Sequence, residues 1–143
     1  QKMEEFYDKK EVGALGISNC YDLDVLKYLF NNAKVKPTIV QNRFYAQSDY
    51  DKEIRAFCKE NNITYESFWS LTANPNILSS EVLQNLALKY EKGVAEIFYR
   101  FLNHIDIVPL NGTTSTKHMI EDLKIGEFEL TNDEINSILN LLN

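Results

Sequence analysis

Four short apolar runs, each bounded by turn residues and each followed by an amphipathic segment, constrain this chain more than any other feature. Residues 12–17, Val-Gly-Ala-Leu-Gly-Ile, are too few for a buried helix and are bracketed by glycines, which suits a strand buried on both faces. Residues 37–41, 63–68 and 106–109 repeat the pattern. Before the first run, residues 1–10 place Met3, Phe6 and Tyr7 at helical spacing, the mark of an amphipathic helix that packs on something, with a sheet as the expected partner. Asp22 can cap a helix with Leu23, Val25, Leu26, Leu29 and Phe30 on its apolar positions, ending at Asn31-Asn32. A helix over 49–62 turns Ile54, Ala56, Phe57 and Cys58 inward, and a polar loop surrounds Asn74-Pro75-Asn76. Helices over 80–90 and 94–103 are separated by Lys92-Gly93, another covers 116–124, and Thr131-Asn132-Asp133-Glu134 opens a last one with a capping box.

Strands that alternate with helices over short loops call for a parallel sheet with right-handed crossovers. The fold class is therefore α/β, and four strands make half of a (β/α)8 TIM barrel. An open flavodoxin-like sheet has the same period, and periodicity does not separate the two. No GxGxxG follows any strand, which removes the main Rossmann signature. No linker or low-complexity tract divides residues 1–143, so one partial domain is expected. The chain begins at Gln1, inside an expected helix and without an initiator methionine, as a segment of a longer protein would.

Charge narrows the function classes. With 15 basic and 21 acidic residues the chain carries a net −6, and its lysines and arginines are scattered rather than clustered. A phosphate-tracking surface needs clustered cations, so no nucleic-acid partner is expected. No apolar stretch approaches the roughly 18–20 residues of a membrane helix, and no signal peptide opens the chain, so neither membrane nor export is expected and the setting is read as cytoplasmic. Cys20 and Cys58 are far apart without CxxC or a histidine cluster, so two reduced thiols and no metal are expected.

In parallel α/β folds, chemistry collects just past the carboxyl ends of the strands, where backbone groups and helix N-termini converge. Polar or aromatic residues stand at all four ends: Ser18 and Asn19, then Gln41, then Phe68-Trp69-Ser70, then Gly112-Thr113-Thr114-Ser115. Amides and hydroxyls can hold a carboxamide, an aromatic face can stack on a flat ring, and a Gly-Thr-Thr-Ser turn opening a helix can meet phosphate or ribose oxygens. Each residue also has a plain reading: Ser-Asn as a turn, Gln41 as a satisfied strand-end polar group, Phe68 and Trp69 as core, His104 and His118 as surface.

Taken in order, these blocks resemble the C-terminal half of the aldo-keto reductase superfamily over essentially the whole chain. Gly13-Ala14-Leu15-Gly16-Ile17-Ser18-Asn19 is similar to the family's strand ending in Gly-Val-Ser-Asn, and Lys36-Pro37-Thr38-Ile39-Val40-Gln41 to its Lys-Pro-x-x-x-Gln strand. Residues 55–63 resemble the helix preceding the family's Ala-Tyr-Ser-Pro-Leu strand, which here reads Ser67-Phe68-Trp69-Ser70-Leu71. Residues 108–115 resemble the Ile-Pro-Gly-Thr phosphate loop, with His118-x-x-Glu121-Asp122 following.

The resemblance implies an NADP(H)- or NAD(H)-dependent reductase of small-molecule carbonyl substrates. It implies that Ser18, Asn19 and Gln41 hold the nicotinamide carboxamide. Phe68 would stand for the stacking tyrosine, with Trp69 in its place if the register slips by one, and Leu71 would line the same site. Thr113, Thr114 and Ser115 would face the phosphates, and His118, Glu121 and Asp122 the adenosine end. Thr114 and His118 stand where the family usually grips the 2′-phosphate with lysine and arginine, and Cys20 replaces a phenylalanine. The family's catalytic Tyr, Asp, Lys and His belong to the other half of its barrel, so the segment alone is expected to be inactive and to pair with the missing N-terminal half-barrel or a second copy. A non-catalytic, regulatory or interaction subunit of the same family is the alternative.

Overall fold

The structure is a computed structural model and describes residues 2–142; Gln1, where the expected first helix begins, and Asn143 lie outside the described residues. The elements run α1 (Lys2–Asp8), β1 (Gly16–Ser18), α2 (Leu23–Asn32), β2 (Ile39–Arg43), a 3₁₀ turn (Ala46–Asp51), α3 (Lys52–Glu60) and β3 (Thr64–Phe68). They continue with α4 (Pro75–Leu78), α5 (Glu81–Tyr90), α6 (Val94–His104), β4 (Ile107–Pro109), α7 (Thr116–Leu123) and α8 (Asn132–Leu139), with two further 3₁₀ turns at Ile125–Glu127 and Asn140–Leu142. The four strands form one parallel sheet in the order β1-β2-β3-β4.

Alternation along the strands gives the sheet two unlike faces. One face carries Ile17, Val40, Asn42, Tyr65, Ser67 and Ile107, and the helices cover it. Leu26 of α2, Ile54 of α3, Leu83 of α5 and Phe98 and Phe101 of α6 complete this core, all buried. The opposite face carries Ser18, Ile39, Gln41, Arg43, Glu66, Phe68 and Val108, and none of these is fully buried. The strands are thus covered on one face only, not on both as their apolar runs predict. The second face is the one a closed barrel turns toward its axis. Gly16 opens β1 on that face because a Cβ there would stand 3.1 Å from Ile39 Cβ.

Four local expectations need correction. α1 buries none of its residues, so Met3, Phe6 and Tyr7 remain exposed and no sheet receives them; hydrogen bonding by Glu4 to the Val35 N–H and the Asp8–Lys34 pair at 2.6 Å hold the helix. On α2, Val25 and Leu29 are exposed and Leu26 is the residue the helix buries. The helix predicted from residue 49 starts at Lys52, because Asp49, Tyr50 and Asp51 all have positive φ (48°, 51° and 53°), and Ala56 faces solvent rather than the core. The polar loop at 74–76 includes the short helix α4, with Pro75 in its first turn.

The left-handed stretch has a buried cause. Asp51 is 4% exposed, and its Oδ2 accepts from Asn42 Nδ2 at 2.7 Å and from the Tyr65 hydroxyl at 2.8 Å. Asn42, fully buried, also donates to Cys20 O at 2.7 Å and accepts from Cys20 N at 2.9 Å. One amide therefore ties the ends of β1 and β2 to the start of α3. Burial, with Asp51 adding, drives the Tyr65 hydroxyl far above its ordinary range, so it stays a donor. Cys20 and Cys58 are free and buried; burial first, then the nearby Asp51, pushes the Cys58 thiol up to about 12.

Candidate functional site at the carboxyl ends of the strands

Parallel strands put all four carboxyl ends on one edge, and the register sets which residues meet there. Ser18 pairs with Gln41, Gln41 with Glu66 and Glu66 with Val108, so these four form one row across the uncovered face. One step nearer the edge, Arg43 pairs with Phe68. Gln41 Nε2 donates to Glu66 Oε2 at 2.8 Å, which leaves its amide oxygen free to accept. Asn19, at φ 57°, turns the chain out of β1; its backbone N–H donates to Gln41 O at 3.1 Å and its Nδ2 to Ser18 Oγ at 3.1 Å. Asparagine tolerates this left-handed conformation better than most side chains.

Trp69 leaves β3 in the same way, at φ 57°, which is costly for a bulky residue. The turn is fixed from below: Ser67 and Ser70 hydroxyls lie 2.8 Å apart, and Asn74 Nδ2 donates to Ser70 O and Phe44 O, both at 2.8 Å. The consequence is an indole 58% exposed at the rim, so Trp69 is not the core residue its type favours. Phe68, Trp69 and Leu71 line a cleft of about 630 Å³ together with Tyr99, Asn111 and Gly112. Ser18, Asn19 and Gln41 do not line it.

The far side of the cleft is the turn after β4. Thr113 Oγ1 accepts from Ser115 N at 3.1 Å, and Ser115 Oγ caps α7 by accepting from His118 N at 3.4 Å. The first N–H groups of an α-helix have no partner within it, and at α7 the Ser115 side chain takes that of His118. Asn111 Nδ2 donates to Asp122 Oδ2 at 2.7 Å and so fixes the turn on α7. Burial pushes the Asp122 carboxyl up against the opposing pull of His118, and burial with Asp122 beside it pushes the Tyr99 hydroxyl up to about 12. Glu121 sits 3.6 Å from Lys117, and His118 is exposed. Three strand spacings, roughly 14 Å in all, separate the Ser18 edge from the Thr113 edge.

Thus the sheet gathers Ser18, Asn19, Gln41, Phe68, Trp69 and Leu71 along one rim, with Thr113, Thr114 and Ser115 at its end and His118, Glu121 and Asp122 behind on α7. Sequence reasoning missed Arg43, Glu66 and Tyr99. Period-two spacing from Gln41 and Phe68 could have put Arg43 and Glu66 on the same face; nothing local marks Tyr99, which reaches the cleft from α6.

The chain can now be set beside known proteins. No protein-family model matches it. It is 29% identical over 136 residues to glyoxal reductase of Bacillus subtilis and 30% identical over 136 residues to the uncharacterized oxidoreductase YtbE of the same organism; each alignment takes in 95% of this chain and 48% of the relative. The crystal structure of an aldo-keto reductase from a Medee basin deep-sea metagenome library superposes with a TM-score of 0.87 at 26% identity, over 99% of this chain and 52% of that one. The chain matches the C-terminal half of the aldo-keto reductase superfamily. It spans about half the length of the curated relatives it matches. The aldo-keto reductase match also explains the uncovered sheet face: four parallel strands with helices on one side are half of a (β/α)8 barrel, whose strands enclose an axis.

Proposed function

We propose that this chain is the cofactor-binding half of an NAD(P)(H)-dependent aldo-keto reductase acting on aldehydes or ketones, one partial domain that is inactive by itself. The observation that carries the reading is the row Ser18–Gln41 at the strand ends, leading into an aromatic-lined cleft and a helix-opening turn, in a chain whose relatives bear reductase names. A further relative in fold, an aldo-keto reductase of the silkworm Bombyx mori, is known in complex with NADPH.

The residues fit a nicotinamide dinucleotide. Gln41 offers a free amide oxygen and Ser18 and Asn19 a hydroxyl and an amide, the complement of a carboxamide. Phe68, Trp69 and Leu71 supply an apolar wall for the ring. Thr113, Thr114, Ser115 and the opening of α7 would hold the phosphates, while His118, Glu121 and Asp122 would border the adenosine end. With Thr114 on this turn and His118 in the first turn of α7, the two positions where the family usually grips a 2′-phosphate carry neither lysine nor arginine, which argues for no preference of NADP over NAD. When bound, the reduced nicotinamide supplies a hydride to the carbonyl carbon. The alcohol's proton then comes from an acid outside the residues described.

The other half of the barrel is the proposed partner. β1 and β4 each have one strand neighbour among the described residues, and Val108 of β4 and Met119, Ile120 and Leu123 of α7 are exposed apolar residues, Leu123 being 87% exposed. Such open edges call for closure by further strands. The small substrate would be read at the mouth so formed, and the free buried thiols accord with a cytoplasmic setting.

Titration of the intact protein with NADPH and NADH, followed by quenching of Trp69 fluorescence, tests the reading. Saturable quenching by at least one of them is expected, and Gln41→Leu should weaken it about tenfold. No response to either would refute it.

A further inference from the structure

Arg43 pairs with no acid among the described residues. It ends β2 on the uncovered face, and its guanidinium carbon lies 4.2 Å from the centre of the Trp69 ring and 5.2 Å from that of Tyr45. Tyr45 is braced edge-on by Tyr21 at 6.0 Å, and the Tyr21 hydroxyl accepts from the Arg43 backbone N–H at 3.0 Å. The contacts with Trp69 and Tyr45 hold the guanidinium in place by cation–π attraction, which uses none of its N–H donors. Its Nε is closed off from solvent and has no acceptor, and among the described residues no carboxylate pairs with it. Glu66, the one acid among the strand residues of this face, is engaged by Gln41.

Several other cations of the chain are matched by acids, among them Lys34 with Asp8, Lys59 with Asp106, Lys89 with Glu134 and Arg100 with Glu129. In a chain of net charge −6, an arginine held in place without a counter-charge at the mouth of a binding face calls for an acceptor from elsewhere. A partly buried guanidinium gains most from a planar or multi-oxygen anion that takes two of its N–H groups at once.

We propose that Arg43, clamped by Trp69 and Tyr45, receives an oxyanion of a small ligand entering the mouth. Two sources offer that chemistry: a carboxylate carried by the reducible carbonyl compound, or the diphosphate of a dinucleotide. The first would make the substrate class oxo-acids and aldehydes bearing an acid group. The site rests on the proposed reading for its place at the mouth; its diphosphate arm would fall with the nicotinamide titration, whereas its carboxylate arm does not involve the cofactor and is tested separately.

The Nε–Hε signal of Arg43 in a ¹H–¹⁵N correlation spectrum of the intact protein reads the site directly, with Arg43→Lys used for assignment. Sodium oxalate, inorganic phosphate and sodium pyrophosphate serve as probes, against sodium chloride at equal ionic strength. A saturable shift with oxalate assigns the site to a carboxylate substrate, and one with pyrophosphate or phosphate to the dinucleotide. In either case Arg43→Gln should weaken binding, followed by Trp69 fluorescence, at least about tenfold. The proposal falls if the Arg43 signal ignores all three probes, if chloride moves it equally, or if the intact protein pairs Arg43 with a carboxylate of its own.

Discussion

The two faces of the sheet, made from alternate residues of the same four strands, follow opposite rules. On the covered face the buried polar groups of the strands and their loops are answered: Asn42 bonds Asp51 and both backbone groups of Cys20, Tyr65 bonds Asp51, and Ser67 bonds Ser70. On the uncovered face Gln41 and Glu66 meet each other, while Arg43 Nε has no acceptor and Val108 is 44% exposed. The contrast teaches that the first face is finished by this chain, while the second is the one that, on the proposed reading, further strands and a ligand would complete. It also explains how the rim holds its shape, because the loops that present Asn19 and Trp69 are anchored from the covered side.

The contrast can be broken most forcefully at Asn42. Asn42→Ala removes three hydrogen bonds and leaves Asp51 and both backbone groups of Cys20 short of partners, so a loss of about 3 kcal/mol or more in chemical denaturation is expected. A loss under about 1 kcal/mol would mean the network is not what fixes the rim.

Val108 tests the other face. Val108→Asp should leave the isolated segment's stability within about 0.5 kcal/mol, as for an exposed site, yet cost about 2 kcal/mol or more once strands close over it in the intact protein. Equal, small effects in both would place Val108 in solvent and remove the argument for closure.

The smallest effect sharpens the boundary of the covered side, where α5 meets α8. Burial raises the Glu134 carboxyl, but hydrogen bonds from Lys89, from the Thr131 N–H and from Tyr90 outweigh it and bring the group from 4.5 down to about 2. A depressed carboxylate contributes stability that is present above the unfolded value and is lost as pH falls from about 4.5 toward 2. Glu134→Gln should therefore lower stability at neutral pH and flatten that acid limb. An unchanged limb would show that the cluster contributes nothing.

Much of the covered face was legible in the sequence, because hydrophobic period and caps are local. Asp22 caps α2, Ser80 caps α5, and Thr131 with Glu134 forms the capping box of α8, each as its residue type predicts. What escaped depends on contacts between distant residues. The left-handed run at Asp49–Asp51 is set by Asn42 and Tyr65 across the core, and no local signal marks it. The pairing of Gln41 with Glu66 needs strand register, and the exposure of Met3, Phe6 and Val108 depends on what does not lie over them. The rim residues were found because strand ends collect function in parallel folds.

Hydrogen–deuterium exchange of the intact protein with and without NADPH tests the central claim most directly, since it reports where along the chain a ligand acts. The account expects slowed exchange at four separated places, residues 18–20, 41–43, 67–71 and 111–118, with the covered helices α3 and α5 unchanged. Slowed exchange confined to those helices, or none anywhere under conditions where NADPH binds, would contradict it.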